Sequence, residues 1–147
     1  MADLKNINHI LIGYDRTQEY VINREIIRYN FTDGLDLWLT AVFNGDLDKI
    51  ASGCGENTFI TIPENTGYAY GALDAINAGL RFALAGYRDI VVLTNFDGFF
   101  FNQEKYENLI DDFIASGKPF GAGKHQSHEF PMSDLMLFKR DFLKEFL

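Results

Sequence analysis

A chain of 147 residues, 47% of them hydrophobic and 15% aromatic, is long enough to bury one substantial core and suits a single compact domain spanning residues 1–147. Its net charge of −8 excludes a nucleic-acid binder, because neutralising phosphates needs a basic face that this sequence lacks. An acidic protein that holds a phosphate-bearing ligand must instead use backbone N–H groups, a few placed cations or a divalent metal.

Residues 9–14 read as a buried strand. A helix over 17–29 follows, with Val21, Ile22, Ile26 and Tyr29 at helical spacing and Asp15 or Thr17 as its N-cap. A second strand over 36–43 stops at Asn44-Gly45, and a short helix over 46–52 leads through Gly53-Cys54-Gly55 to a third strand over 58–62. The longest helix, 67–85, has an apolar stripe of Ala72, Ile76, Leu80 and Ala83. Gly71, Ala75 and Gly79 lie beside that stripe and would let the backbone approach a sheet closely, and Gly86 ends the helix.

The segment 90–94 is almost wholly apolar, as a central parallel strand covered on both faces should be. Asn102 caps a helix whose core face is Tyr106, Leu109, Ile110 and Phe113, closed by Gly117 and Pro119. Short strands near 119–122 and 134–138 precede a last helix opening at Arg140. Phe99-Phe100-Phe101 is expected to pack beneath the helix that follows it.

Strands alternating with helices predict an α/β, Rossmann-like, open and mostly parallel sheet with helices on both faces. Ligands of such sheets bind beyond the carboxyl ends of the strands. The segments to inspect are therefore Tyr14-Asp15-Arg16, Asn44-Gly45-Asp46, Pro63-Glu64-Asn65 and Asn95-Phe96-Asp97.

Several familiar motifs fail. A dinucleotide fingerprint needs Gly-x-Gly-x-x-Gly after the first strand, where this chain has Gly13-Tyr14-Asp15-Arg16. Gly117 to Lys124 has the wrong spacing for a Walker loop, and His125 replaces its Ser/Thr. His125, His128 and Glu129 lack a helical frame or a further spaced ligand for a self-contained zinc site. His9 reads as a strand residue whose ring is hydrogen-bonded. The lone Cys54 leaves no internal disulfide, no apolar run reaches the ~20 residues of a membrane span, and a cytoplasmic protein is expected.

Glu64-Asn65-Thr66-Gly67-Tyr68, then Ala75-Ile76-Asn77-Ala78-Gly79, then an apolar strand running into Asn95-Phe96-Asp97, together resemble the ordered Asn-x-Gly, Ala-x-Asn-x-Gly and Asp-x-Asp motifs of GT-A glycosyltransferases. The resemblance is closest to the rhamnosyltransferase-like branch, with its Glu-Asn-x-Gly-Phe, and extends over roughly residues 8–143. Two departures stand out. About four extra residues, near one helical turn, separate Gly71 from Asn77, and Asn95 replaces the first acid of Asp-x-Asp. A neutral carbonyl oxygen there is a weaker ligand for a hard cation than a carboxylate.

The resemblance implies a GT-A fold that binds a nucleotide-diphosphate sugar with Mn²⁺ or Mg²⁺ for glycosyl transfer to an acceptor, with inversion at the anomeric carbon. Asp97 would hold the metal. Tyr14 and Asp15 would border the base or ribose, Asn44 or Asp46 the base edge, and Asn65 and Gly67 the nucleoside. Asp74 or Asn77 would reach toward the nucleoside, and Asn95 would meet nucleotide or metal. Each has a plainer reading: Asp15 as a helix cap, Asn44-Gly45-Asp46 as an ordinary turn, Asn65-Thr66-Gly67 as a strand-to-helix connection. The family's general base lies beyond the segment resembled by 134–141, so the resemblance implies that the acceptor half is missing and that these 147 residues alone transfer sugar poorly. Asp134, Glu129 and His128 are the first suspects for a base within the chain. A non-catalytic nucleotide-binding or scaffolding module with the same fold is the rival reading.

Overall fold

A computed structural model describes residues 2–14, 17–32, 36–45, 58–62, 64, 66–124 and 131–147. A 3-10 turn, Leu4–Asn6, leads into β1 (Ile7–Gly13), α1 (Thr17–Asn30), β2 (Trp38–Asn44) and β3 (Thr58–Ile62). These are followed by α2 (Tyr68–Ala85), β4 (Ile90–Asn95), α3 (Gln103–Ala115), β5 (Phe120–Lys124), β6 (Pro131–Lys139) and α4 (Arg140–Phe146). The short helix expected over 46–52 and the Gly53-Cys54-Gly55 link lie outside the described residues.

The strands form one sheet in the order β3-β2-β1-β4-β6-β5. The first four are mutually parallel, as right-handed crossovers through α1 and α2 require, whereas β6 runs antiparallel to both β4 and β5. The carboxyl ends of four strands therefore share one edge, and β6 enters the sheet at that same edge. Thr94 pairs with Leu135, which places Asp134 next to Asn95.

Alternation along the strands assigns each side chain to one of two layers. Ile90 and Val92 of β4 join Ile7, Leu39 and Leu137 under α1 and α3, where Ile27, Phe31, Tyr106, Ile110 and Phe113 meet them. Val91 and Leu93 face the other way, with Ile10, Ile12, Val42 and Phe138, against Ala75, Leu80 and Ala83 of α2 and Leu143 of α4. Helices thus cover both faces, and β4 is buried on both as its composition predicts.

The face of α1 differs from the sequence expectation. Tyr20, Asn23 and Ile27 are buried, whereas Ile22 is 51% and Tyr29 83% exposed. Of the expected stripe Val21 packs against the core and Ile26 is half-buried, so the packed face is turned toward Tyr20, Asn23 and Ile27. Asn23, on the buried face, donates to Phe96 O and Gly98 O in the turn after β4. On α2 the buried line is Gly71, Ala75, Gly79, Leu80 and Ala83, while Ala72 points outward. A Cβ on Gly79 would lie 2.8 Å from Ile10 Cγ2, so the small-residue line does bring this helix close to the sheet. Gly86 ends α2 in an extended conformation rather than the left-handed one usual for a terminal glycine.

His9 is among the polar groups buried in the α1/α3 layer. His9 is fully buried; its Nε2 lies 2.9 Å from Thr94 Oγ1, and its Nδ1 3.2 Å from the Tyr106 hydroxyl. Tyr106 stacks on the ring, and Phe100 meets both rings edge-on. Burial pushes the His9 imidazole down to about 3 and raises the Tyr106 phenol, so both are neutral at pH 7. The sequence expectation for His9 holds, and Phe100 is the member of Phe99-Phe100-Phe101 that packs against α3. Phe101 is 66% exposed.

Candidate functional site

At the end of β4 the chain makes a tight turn. Gly98 N–H donates to Asn95 O at 3.0 Å, which makes Asn95 to Gly98 the four residues of a β-turn with Asp97 third. Burial alternates through it: Asn95 is half-buried, Phe96 fully buried and Asp97 exposed. The Phe96 ring enters the α1 side of the core with Leu11, Tyr20, Ala41 and Phe43, and its N–H donates to Ile12 O at 2.8 Å. Gly13 makes room for it, since a Cβ there would lie 2.2 Å from the ring. The glycine that ends β1 therefore serves packing beneath the turn.

Asn95 Nδ2 donates to Asp134 Oδ1 at 2.8 Å. One N–H of the amide is thus committed to β6, while its carbonyl oxygen stays free of that bond. From the other side of the sheet, Asn23 Nδ2 donates to Phe96 O at 3.2 Å and to Gly98 O at 2.8 Å. Neither Asn23 nor the Asn95–Asp134 pairing was found by sequence reasoning. The available signal for Asn23 is a polar residue at the i+3 position between Tyr20 and Ile27; the signal for Asp134 is its parity with Asn95 on an antiparallel strand.

A second group lies where β2 ends and α2 begins. Asn44 is 4% exposed; its Nδ2 donates to Gly71 O, and its Oδ1 is buried with no hydrogen-bond partner. Gly67 takes φ +108° just before α2, a conformation that favours glycine, and its carbonyl accepts from Gly71 N–H at 2.6 Å. No side chain caps α2, and no acid lies in its first turn. Its positive end is therefore not neutralised from within the helix. Thr66 Oγ1 donates to Asp74 Oδ2 at 2.8 Å on the exposed side of this turn. Tyr14, 55% exposed, follows β1 at the same edge.

Asn77 lies elsewhere. Nine residues along α2 from Tyr68 is roughly 14 Å, and its Oδ1 accepts from Arg81 Nε at 3.0 Å on the exposed face. Asp15, Asp46, Asn65, Cys54, His125, His128 and Glu129 fall outside the described residues.

A hard divalent cation takes oxygen ligands, and Mg²⁺ in particular is held by one or two carboxylates with the remainder from phosphate and water. Among the described residues no three His, Cys, Asp or Glu side chains form a metal-holding group. Asp97, the Asn95 carbonyl oxygen and the second oxygen of Asp134 are oxygen atoms of the kind such a cation takes, and Asn95 and Asp134 are bonded to each other. No helix among the described residues is long and apolar enough to cross a membrane.

Comparison with known proteins starts from silence at the sequence level: no family profile and no curated protein matches the chain. Solved structures do match. A mannosyltransferase, PcManGT from Pyrobaculum calidifontis, captured in complex with GDP-Man and Mn²⁺, superposes with a TM-score of 0.73 at 16% identity, over 96% of this chain and 46% of its own. Residues 1–349 of TarS from S. aureus superpose at 0.61 and 9% identity, over 95% of this chain and 48% of theirs. A candidate nucleotide-diphospho-sugar transferase from Desulfovibrio desulfuricans G20 gives 0.57 and 14%, over 92% and 64%. The chain spans about half the length of the first two. Its six-stranded sheet, with four parallel strands ending at one edge and helices on both faces, is a Rossmann-like α/β fold shared with these three structures.

Proposed function

We propose that this chain binds a nucleotide-diphosphate sugar together with Mn²⁺ or Mg²⁺ and takes part in glycosyl transfer. The observation that carries the reading is the Asn95-Phe96-Asp97 turn at the end of the buried β4, tied to Asp134 on the neighbouring strand. It puts oxygen ligands at a strand end of a fold whose PcManGT example was captured with GDP-Man and Mn²⁺.

In this reading Asp97 and the Asn95 carbonyl oxygen face the diphosphate, and the Asn44–Gly71 corner with Gly67 and Asp74 borders the nucleoside. A divalent cation there would neutralise the diphosphate and stabilise it as the leaving group. That resolves how a chain of net charge −8 holds an anion without a lysine-rich loop. The residues' own part is to bind and orient; inversion by direct displacement at the anomeric carbon rests on the family resemblance alone.

Calorimetry with UDP, GDP and dTDP, each with and without Mn²⁺, tests the reading. One of them is expected to bind more tightly with the metal, and Asp97→Ala to remove the metal-dependent part while leaving the fold intact. Absent binding in every arm would sink the donor-site reading in favour of a scaffolding module.

A further inference from the structure

Asn23 lies in the middle of α1, on its core-facing side, and is fully buried. A polar side chain in that place is costly unless its groups are paired. Its amide nitrogen makes two hydrogen bonds, to Phe96 O and Gly98 O, and its Oδ1 has no partner. The opposite amide orientation would set Oδ1 against two carbonyl oxygens, acceptor facing acceptor, so the donors are what the position uses. The two carbonyls belong to the residues on either side of Asp97. A single side chain therefore grips the turn at both flanks of the exposed acid, 73 and 75 positions away in sequence.

Two backbone bonds hold the turn beside this grip. Gly98 N–H closes the turn onto Asn95 O, and Phe96 N–H ties its start to β1, but the carbonyls of Phe96 and Gly98 meet α1 through Asn23. Loss of the amide would leave two carbonyls, one buried and one partly buried, without that partner, and the turn would relax toward water to recover them. Asp97 would move with it.

We infer that Asn23 is the positioning residue for Asp97, holding the 95–98 turn so that the carboxylate faces the diphosphate and its cation. The inference rests on the donor-site reading above for its functional half, whereas the grip on the turn can be tested without any ligand.

The experiment uses the full chain and three variants: Asn23→Leu, which removes both donors at similar volume, Asn23→Asp, which replaces them with acceptors, and Asp97→Ala. Amide hydrogen exchange at Gly98 reads the turn directly. Its protection is expected to fall in both Asn23 variants while the β4 amides stay protected. Mn²⁺ titration of the nucleoside diphosphate complex reads the consequence. The midpoint in Mn²⁺ is expected to rise roughly tenfold in Asn23→Leu, the equivalent of one lost hydrogen bond to a positioned group. Asn23→Asp should shift it further, and saturating Mn²⁺ should recover part of the affinity. In an Asp97→Ala background, Asn23→Leu should change nucleotide affinity no further, because its effect passes through Asp97.

Unchanged Gly98 exchange in a folded Asn23→Leu protein overturns the inference. So does an additive effect in the Asp97→Ala background. If Asn23→Leu does not fold, the same two measurements on Asn23→Asp decide. If the wild-type chain binds no nucleoside diphosphate, the donor-site reading fails on its own, and the Gly98 exchange decides whether Asn23 holds the turn.

Discussion

Asn95 and Asp134 are hydrogen-bonded at 2.8 Å although 39 residues separate them in sequence. The bond joins the last residue of a parallel strand to an early residue of the antiparallel strand beside it. It also settles which end of the Asn95 amide is committed to protein, and leaves the carbonyl oxygen as the end available to a cation.

Asn95→Asp should therefore strengthen Mn²⁺ binding, because a carboxylate replaces a neutral oxygen ligand. Without metal, two carboxylates within hydrogen-bonding distance repel each other, and thermal stability at neutral pH should fall. Added Mn²⁺ should restore it. Melting scans with and without the ion check both signs at once. Weaker Mn²⁺-dependent nucleotide binding in this variant would mean that Asn95 uses its second N–H toward the nucleotide instead.

His9 makes the fold sensitive to acid. Its pKa is about 3 in the folded chain against 6.5 for the free side chain, so the unfolded state takes up a proton first. The contribution is present in full above pH ~6.5 and is lost as the pH falls toward 3, with a slope of ~1.4 kcal/mol per pH unit. Urea melts at several pH values between 7 and 4 should show this slope in the wild type and lose it in His9→Leu. That variant is also less stable at pH 7, since the Thr94 and Tyr106 hydroxyls lose their shared partner. Parallel pH profiles would refute the assignment.

Gly13→Ala should disturb the site from beneath. Its Cβ would meet the Phe96 ring at 2.2 Å in a packed corner, a clash that costs about 1–3 kcal/mol by overpacking. Denaturant unfolding should show the loss, and a second substitution, Phe96→Leu, should recover part of it. Equal costs in the single and double variants would show that the strain lies elsewhere.

The orientation of α1 can be checked by two substitutions on opposite faces. Ile27→Ala should cost about 2–5 kcal/mol as a core deletion, and Ile22→Ala within about 0.5 kcal/mol of zero. The reverse order would restore the face expected from aliphatic content.

The elements themselves were legible because each carries its own local signal: apolar runs for β1 and β4, Asn102 capping α3 through its bond to Lys105 N–H, and glycines beside the stripe of α2. What could not be read is how faces meet. In α1 two stripes satisfy the same period, and Asn23 on the buried one has partners 73 and 75 positions away, out of reach of any window along the chain. The direction of β6 was equally hidden, since periodicity is the same in either sense. The pairing of Asp134 with Asn95 was therefore not legible in the sequence. Asn77 illustrates the converse: its motif position is clear, yet the helix carries it down α2 to pair with Arg81.

The antiparallel course of β6 makes the site depend on odd and even chain length. Five pairs, from Thr94↔Leu135 to Ile90↔Lys139, fix its register, and Arg140 anchors the strand's exit through Asp89 and Gly86 O. Removing one residue between Leu135 and Lys139 would, with that anchor kept, turn Asp134 to the opposite face of the sheet. Removing two would keep the face but draw the carboxylate roughly 7 Å back from Asn95. The chemistry at the strand end can thus be erased by an edit that substitutes none of its residues, and homologous chains that preserve it must share the parity of this strand as strictly as they share its acids.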